Sequence, residues 1–106
     1  MAMQARQYEG TIALAEIWTA VSATIPSVAS GSGGVITVNL PTGSQAAPGD
    51  FASLGEPAAW GPLLLDAAVS AIGQIQIAYR NDSGSTVNVG AQLVNVLIER
   101  MLTQGN

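Results

Sequence analysis

Over the last two thirds of the chain, apolar residues recur at every second position in short runs. Each run stops at a cluster of Gly, Pro, Asn or Ser. A period of two puts alternate side chains on opposite faces of an extended strand, and the punctuating residues are those that turn a chain back on itself. Repeated at short spacing, this pattern specifies an antiparallel β-sandwich. The expected fold is therefore all-β: a small antiparallel, jelly-roll-like β-sandwich over residues 17–106, preceded by an N-terminal arm over residues 1–16.

The strands can be placed in turn. In residues 17–25 the odd positions Ile17, Val21, Ala23 and Ile25 are apolar, Ser22 and Thr24 point the other way, and Pro26 closes the run. The turn Gly31-Ser-Gly-Gly34 leads into the β-branched segment Val35-Ile-Thr-Val-Asn-Leu40, which halts at Pro41. Residues 42–49 are turn-forming and deliver the short strand Asp50-Phe-Ala-Ser-Leu54, in which Phe51, the only phenylalanine, is expected in the core. Gly55-Glu-Pro-Ala-Ala-Trp-Gly-Pro62 reads as an irregular surface loop with Trp60 near its tip. Residues 63–71 and 74–81 form the clearest hairpin, turning at Ile72-Gly73, with Ile75, Ile77 and Tyr79 alternating against Gln74, Gln76 and Arg80. After the turn Asn81-Asp-Ser-Gly-Ser85, residues 86–89 make a short strand and residues 92–101 the last one. In that last strand Val94, Val96 and Ile98 share one face, while Leu93 and Leu97 lie on the other. A strand apolar on both faces needs a second protein layer or a partner chain.

The first sixteen residues differ. Thr11-Ile-Ala-Leu-Ala-Glu-Ile-Trp18 is rich in good helix formers, and residues 1–7 show no clean period. The expectation is an arm with room for a helical turn; an edge strand of the same sandwich is the competing reading. Met1, Met3, Tyr8, Ile12, Leu14 and Trp18 would expose apolar surface there unless the arm docks on something.

Composition narrows the function. Only 9% of the 106 residues are charged, where a soluble domain has roughly 25%. A folded monomer of this mass exposes about 5500 Å², so either uncharged polar side chains solvate that surface or part of it is covered. Net charge is −4, Lys is absent, and Arg6, Arg80 and Arg100 are the only cations, which leaves no footprint for nucleic acid. His and Cys are both absent, which removes the commonest metal ligand, the commonest general base and any thiolate chemistry. No apolar run approaches the ~18 residues of a membrane span, and Met1-Ala-Met-Gln-Ala-Arg6 lacks the apolar core of a signal peptide, so the chain reads as soluble and not secreted by that route.

The seven carboxylates, Glu9, Glu16, Asp50, Glu56, Asp66, Asp82 and Glu99, form no pair that the sequence alone brings face to face. Asp50 and Asp82 sit in turns, where a carboxylate accepts backbone hydrogen bonds. Asp66 is either solvent-facing or paired with an Arg across a subunit contact. Gly31, Gly33 and Gly34 lack the Lys and following helix of a phosphate cradle. Trp60 either anchors a partner or a sugar ring, or packs over the end of the sandwich. The reading assigns no catalytic, metal-binding or cofactor-binding residue, and its candidates for partner contact are Met3, Tyr8, Ile12, Leu14, Trp18, Trp60, Leu93 and Leu97.

From residue 24 to residue 100 the order of features resembles a small β-sandwich domain of tailed-bacteriophage virion proteins. Thr24-Ile-Pro-Ser, Val35-Ile-Thr-Val and Ala47-Pro-Gly-Asp50 match its first half; Ala68-Val-Ser-Ala71, Gly73-Gln-Ile-Gln-Ile77, Asn81-Asp-Ser-Gly84 and residues 94–100 match its second. The resemblance implies a non-catalytic capsid decoration (cement) protein that binds the major capsid protein on the outside of the virion after assembly in the host cytoplasm. It also implies a homo-oligomer, with a trimer favoured and the arm gripping neighbouring subunits. A head-fibre or tail-associated receptor- or carbohydrate-binding module is the alternative. The single domain without a stalk favours decoration.

Overall fold

The hairpin turning at Ile72-Gly73 forms as its pattern requires. β5 (Leu63–Ala71) pairs with β6 (Gln74–Asn81), and Gly73 adopts the left-handed φ of +68° that such a turn needs. The structure, a computed structural model, describes the backbone of residues 4–8 and 11–103 and the side chains of residues 14–101. The remaining strands are β1 (Gln4–Tyr8), β2 (Thr11–Ile25), β3 (Gly33–Asn39), β4 (Phe51–Gly55) and β7 (Gly90–Thr103). They build two antiparallel sheets, ordered β1-β2-β7-β4 and β3-β6-β5, packed as a β-sandwich. A 3-10 turn spans Ala58–Trp60. Residues 86–89, expected as a short strand, contribute only an isolated bridge between Val87 and Val28.

Three expectations need correction. Thr11-Ile-Ala-Leu-Ala-Glu-Ile-Trp18 is extended throughout, because β1 on one side and β7 on the other give its backbone partners that outweigh helix propensity. β2 accordingly runs through residues 16 and 17 as one strand. Phe51 is 61% exposed: on the five-residue β4, Ala52 and Leu54 face inward, so parity sends Phe51, Ser53 and Gly55 outward. Trp60 is fully buried, because the 3-10 turn folds the loop's aromatic into the core instead of presenting it at the tip.

The core lies between the sheets. Ile25, Trp60, Ile75, Ile77 and Ile98 have no exposed surface, and Val94 and Val96 are 1% exposed. Val38, Leu63 and Val69 close the small sheet's side. Of the two apolar faces of the last strand, the one of Val94, Val96 and Ile98 is buried against the core.

One irregularity sets which residues of β2 face that core. Between Trp18 and Val21 the strand advances three residues while β7 moves only two, from Val96 to Val94. The extra residue is a β-bulge. It reverses the alternation: even positions Glu16 and Trp18 are buried before it, odd positions Val21, Ala23 and Ile25 after it, and Ile17 is left 45% exposed. The bulge holds Ala20 at φ +56°, and its N–H donates to the Asn95 side-chain oxygen at 3.1 Å.

The molecule is elongated. Its radius of gyration is 15.3 Å and its longest extent 53 Å, where a compact chain of this length has a radius near about 13 Å. β2 and β7 account for this, pairing from Thr11 and Thr103 at one end to Ile25 and Gly90 at the other. β1 pairs only with residues 11–15 of β2, so that end continues as a three-stranded ribbon.

Ala20 carries a Cβ in a backbone region that costs a non-glycine residue about 1–2 kcal/mol, partly offset by the chain entropy Gly would lose. Ala20→Gly should therefore stabilise the fold by about 0.5–1 kcal/mol, read as a higher urea midpoint at unchanged m-value. Ala20→Val should lower the midpoint.

Candidate binding surface

The densest polar constellation lies at one end of the sandwich, where residues 41–50 cross over it. The Glu16 carboxylate, carried by β2 and wholly buried, accepts hydrogen bonds from the Trp18 indole N–H at 2.9 Å, the Ser44 hydroxyl at 2.7 Å and the Gln45 backbone N–H. One strand position further out on the inner face of β7, Arg100 forks onto Asp50: Nε donates to Oδ1 at 2.8 Å and Nη2 to Oδ2 at 2.9 Å. The same Nη2 donates to the Gln45 carbonyl at 2.9 Å. Asp50 also accepts the Ala47 N–H at 2.9 Å, the turn role expected of it. Burial raises the Asp50 pKa, but the Arg100 and Ala47 hydrogen bonds and the Arg100 charge outweigh it and hold the carboxyl below its ordinary value.

These bonds all run to other protein groups and tie residues 44–50 to β2 and β7, so the constellation acts as a clasp. Among the described residues no group of three His, Cys, Asp or Glu is placed to hold a metal ion. Three hollows of about 210–240 Å³ are shallow and open to solvent. At the other end of the fold, the turn after β6 is organised by Asn81. Its buried amide donates to the Val28 and Ser85 carbonyls at 2.8 and 2.7 Å and accepts the Ser83 N–H at 3.0 Å. Asp82, expected in that role, instead pairs with Arg80 at 2.9 Å on the surface. Asp66 is exposed on the outer face of β5.

The surface that stands out is the outer face of the larger sheet. Ile17 on β2 lies opposite Leu97 on β7, and Leu97 opposite Ser53 on β4. One level along, Ala15, Glu99 and Phe51 are aligned in the same way, with Met101 beyond. Phe51 is 61% exposed, Ile17 and Met101 each 45%. Leu93 extends the apolar stripe at the far end of β7, and Glu99 is the one charged residue on it among the described residues.

The sequence-derived contact residues divide accordingly. Leu93 is exposed and Leu97 half-buried, both on this face. Leu14 is half-buried opposite Arg100. Trp18 and Trp60 are buried in the core, and Trp18 is committed to Glu16, so neither indole is presented to a partner. The Trp60 N–H is buried without a protein acceptor. Met3 and the side chains of Tyr8 and Ile12 lie outside the described residues; Tyr8 pairs with Thr11 and Ile12 with Gln7 and Leu102 along the backbone. Sequence reasoning missed Ile17, Phe51 and Met101. The parity conflict between Phe51 and Leu54, three residues apart on one strand, was the available signal.

The clasp predicts a pH signature. Asp50 has a lowered pKa in the fold, so its contribution is full above its unfolded value of 3.8 and is lost as pH falls through the lower folded value. Arg100→Leu should cost about 2–3 kcal/mol at neutral pH by leaving a buried carboxylate unpaired. In urea titrations the gap between wild type and Arg100→Leu should be widest at pH 7, narrow as pH falls and the variant's buried, uncompensated carboxyl takes up a proton, and vanish once pH passes below the lowered folded value of Asp50 in the wild type.

No protein-family model matches the sequence, and no curated protein or solved structure shows significant similarity to it.

Proposed function

We propose that this chain is a non-catalytic structural protein that works by attachment: a bacteriophage capsid decoration (cement) protein. It binds the major capsid protein lattice on the virion exterior and stabilises the head as a homo-oligomer. The observation that carries attachment is the outward apolar face of Ile17, Phe51, Leu97 and Met101, on which Glu99 is the one charged residue among those described. The choice of a phage head rests on the resemblance between residues 24 and 100 and virion β-sandwich domains. β1 adds a second means of attachment, since it lies at the edge of its sheet, where a strand can pair with an extended segment of another chain.

Binding itself is the mechanism. A protein that binds the assembled shell and not its dissociated subunits raises shell stability by mass action. The alternative, a fibre or tail module that binds carbohydrate, needs an aromatic platform. The indole that reading relies on, Trp60, is inside, as is Trp18.

Shells carrying the protein should rupture at a higher temperature than bare shells, followed by light scattering or dye access to packaged DNA. Equal rupture temperatures would refute decoration. Deleting residues 1–8 removes β1 while leaving β2 whole, and should weaken shell binding at least tenfold with the sandwich still folded.

A further inference from the structure

We infer that β3, an edge strand of the smaller sheet, pairs antiparallel with β3 of a second copy of this chain about a two-fold axis at Ile36, joining the two small sheets into one. The ladder to β6 fixes which backbone groups face outward. Its register continues past both ends of the strand: the Asn81 N–H donates to the Ser32 carbonyl and the Leu40 N–H to the Gly73 carbonyl, each at 2.8 Å. Even positions therefore bond β6, and the N–H and C=O groups of Gly33, Val35, Thr37 and Asn39 point to the open edge. Among the described residues no turn or loop backbone hydrogen bond falls on these groups.

The other outermost strands each carry a feature that limits pairing. β1 and β4 are five residues long, and β5 bears Asp66 and breaks register between Val69 and Ala71. β3 runs seven residues in unbroken register without proline or charge, and Val35 on its outer face is 57% exposed. Symmetry and charge identify the occupant. Centred on Ile36, the strand is complementary to itself: Gly33 falls opposite the other copy's Asn39 and Val35 opposite its Thr37, so all four edge-facing residues are used. Each such pair exchanges two bonds, and the full overlap makes about eight. The outer face gains a β-branched Val–Thr pair on either side of the axis, and on the inner face the half-buried Ile36 meets its own copy. Between Glu16 and Asp50 the sequence holds no charged residue, so β3 and the segments leading into and out of it bring no like charges to the seam. Each copy has one β3 to offer, and association closes at two. The pairing uses neither the outer face of the larger sheet nor β1, the two elements proposed for shell attachment.

Mass in solution tests this pairing without any shell, so it stands or falls apart from shell binding. Sedimentation velocity should show monomer at about 5 µM passing to dimer by about 500 µM, as a small interface carried by main-chain bonds requires. Thr37→Pro removes an N–H that points outward, a change an edge position tolerates, and should hold the chain monomeric over the same range with an unchanged urea midpoint at the low concentration. The register is read separately by disulfide trapping, since the chain has no cysteine of its own. Val35→Cys and Thr37→Cys proteins, one of them isotope-labelled, are mixed at about 500 µM and oxidised with glutathione disulfide. The two thiols then sit on directly opposed residues about 5.5 Å apart at Cα, within disulfide reach, whereas two copies of either residue lie diagonally at about 7–8 Å. The mixed disulfide should form well above its statistical share. A wild type still monomeric at the highest concentration, a trimer, a dimer that survives Thr37→Pro, or a statistical disulfide mixture would each overturn the pairing.

Discussion

A carboxylate with no exposed surface is the constraint on which this fold is arranged. Glu16 cannot be solvated by water where it sits, and leaving it without donors would cost several kcal/mol. Two of its donors, the Ser44 hydroxyl and the Gln45 N–H, lie 28 and 29 residues further along the chain. Residues 41–50 must therefore fold back across the end of the sandwich. Once there, Ala46 is fully buried, its carbonyl accepts the Gly73 N–H at 2.8 Å, and the Gly73 carbonyl accepts the Leu40 N–H at 2.8 Å. One acidic side chain on the larger sheet is thus tied, through a loop, to the hairpin turn of the smaller sheet. Arg100 and Asp50 fasten the far end of that loop to β7.

The bulge at Ala20 makes this possible. Without the extra residue, the alternation that buries Val21, Ala23 and Ile25 would continue toward the N-terminus and bury Ile17, turning Glu16 and Trp18 to solvent. The loop would lose its anchor and the core one of its two indoles. The exposure of Ile17 is the counterpart of the burial of Glu16: the residue that begins the outer apolar face is outward because the clasp needs its neighbour inward. Core and surface are set by one backbone defect.

Much of the fold was legible in the sequence because it follows from local pattern. β6 alternates strictly after a Gly turn, and β7 carries Val94, Val96 and Ile98 in phase, so both strands lie where the residues place them. What could not be read depends on partners distant in sequence. Thr11-Ile-Ala-Leu-Ala-Glu-Ile-Trp18 has helix-forming residues, and it is pairing with β1 on one side and with β7, about eighty or more residues later, on the other that makes it a strand. Phe51 and Leu54 cannot share a face of one strand, and residue size favoured the wrong one. The bulge carries no glycine to announce it, so residues 17–25 read as one regular phase. Trp60, framed by prolines and glycines, had the composition of a loop tip but folds inward through a 3-10 turn. Of the contact residues legible in sequence, Leu93 and Leu97 lie on the outer face because one strand with two apolar faces is itself a local pattern.

The scarcity of charge is sharper in three dimensions than in composition. Glu16 is spent inside the core, and Asp50, whose side chain is 5% exposed, is held by Arg100 at the clasp. Arg80 and Asp82 neutralise each other on the turn after β6. The charges that hold the fold together are withdrawn from the surface, and the larger sheet's outer face is left with Glu99 as its one charged residue among those described. A face so poor in charge gains little from solvent and loses little when covered, whereas one studded with Lys and Glu would resist dehydration. The low charge content of this chain is thus the joint outcome of an ionic clasp turned inward and an apolar face turned outward.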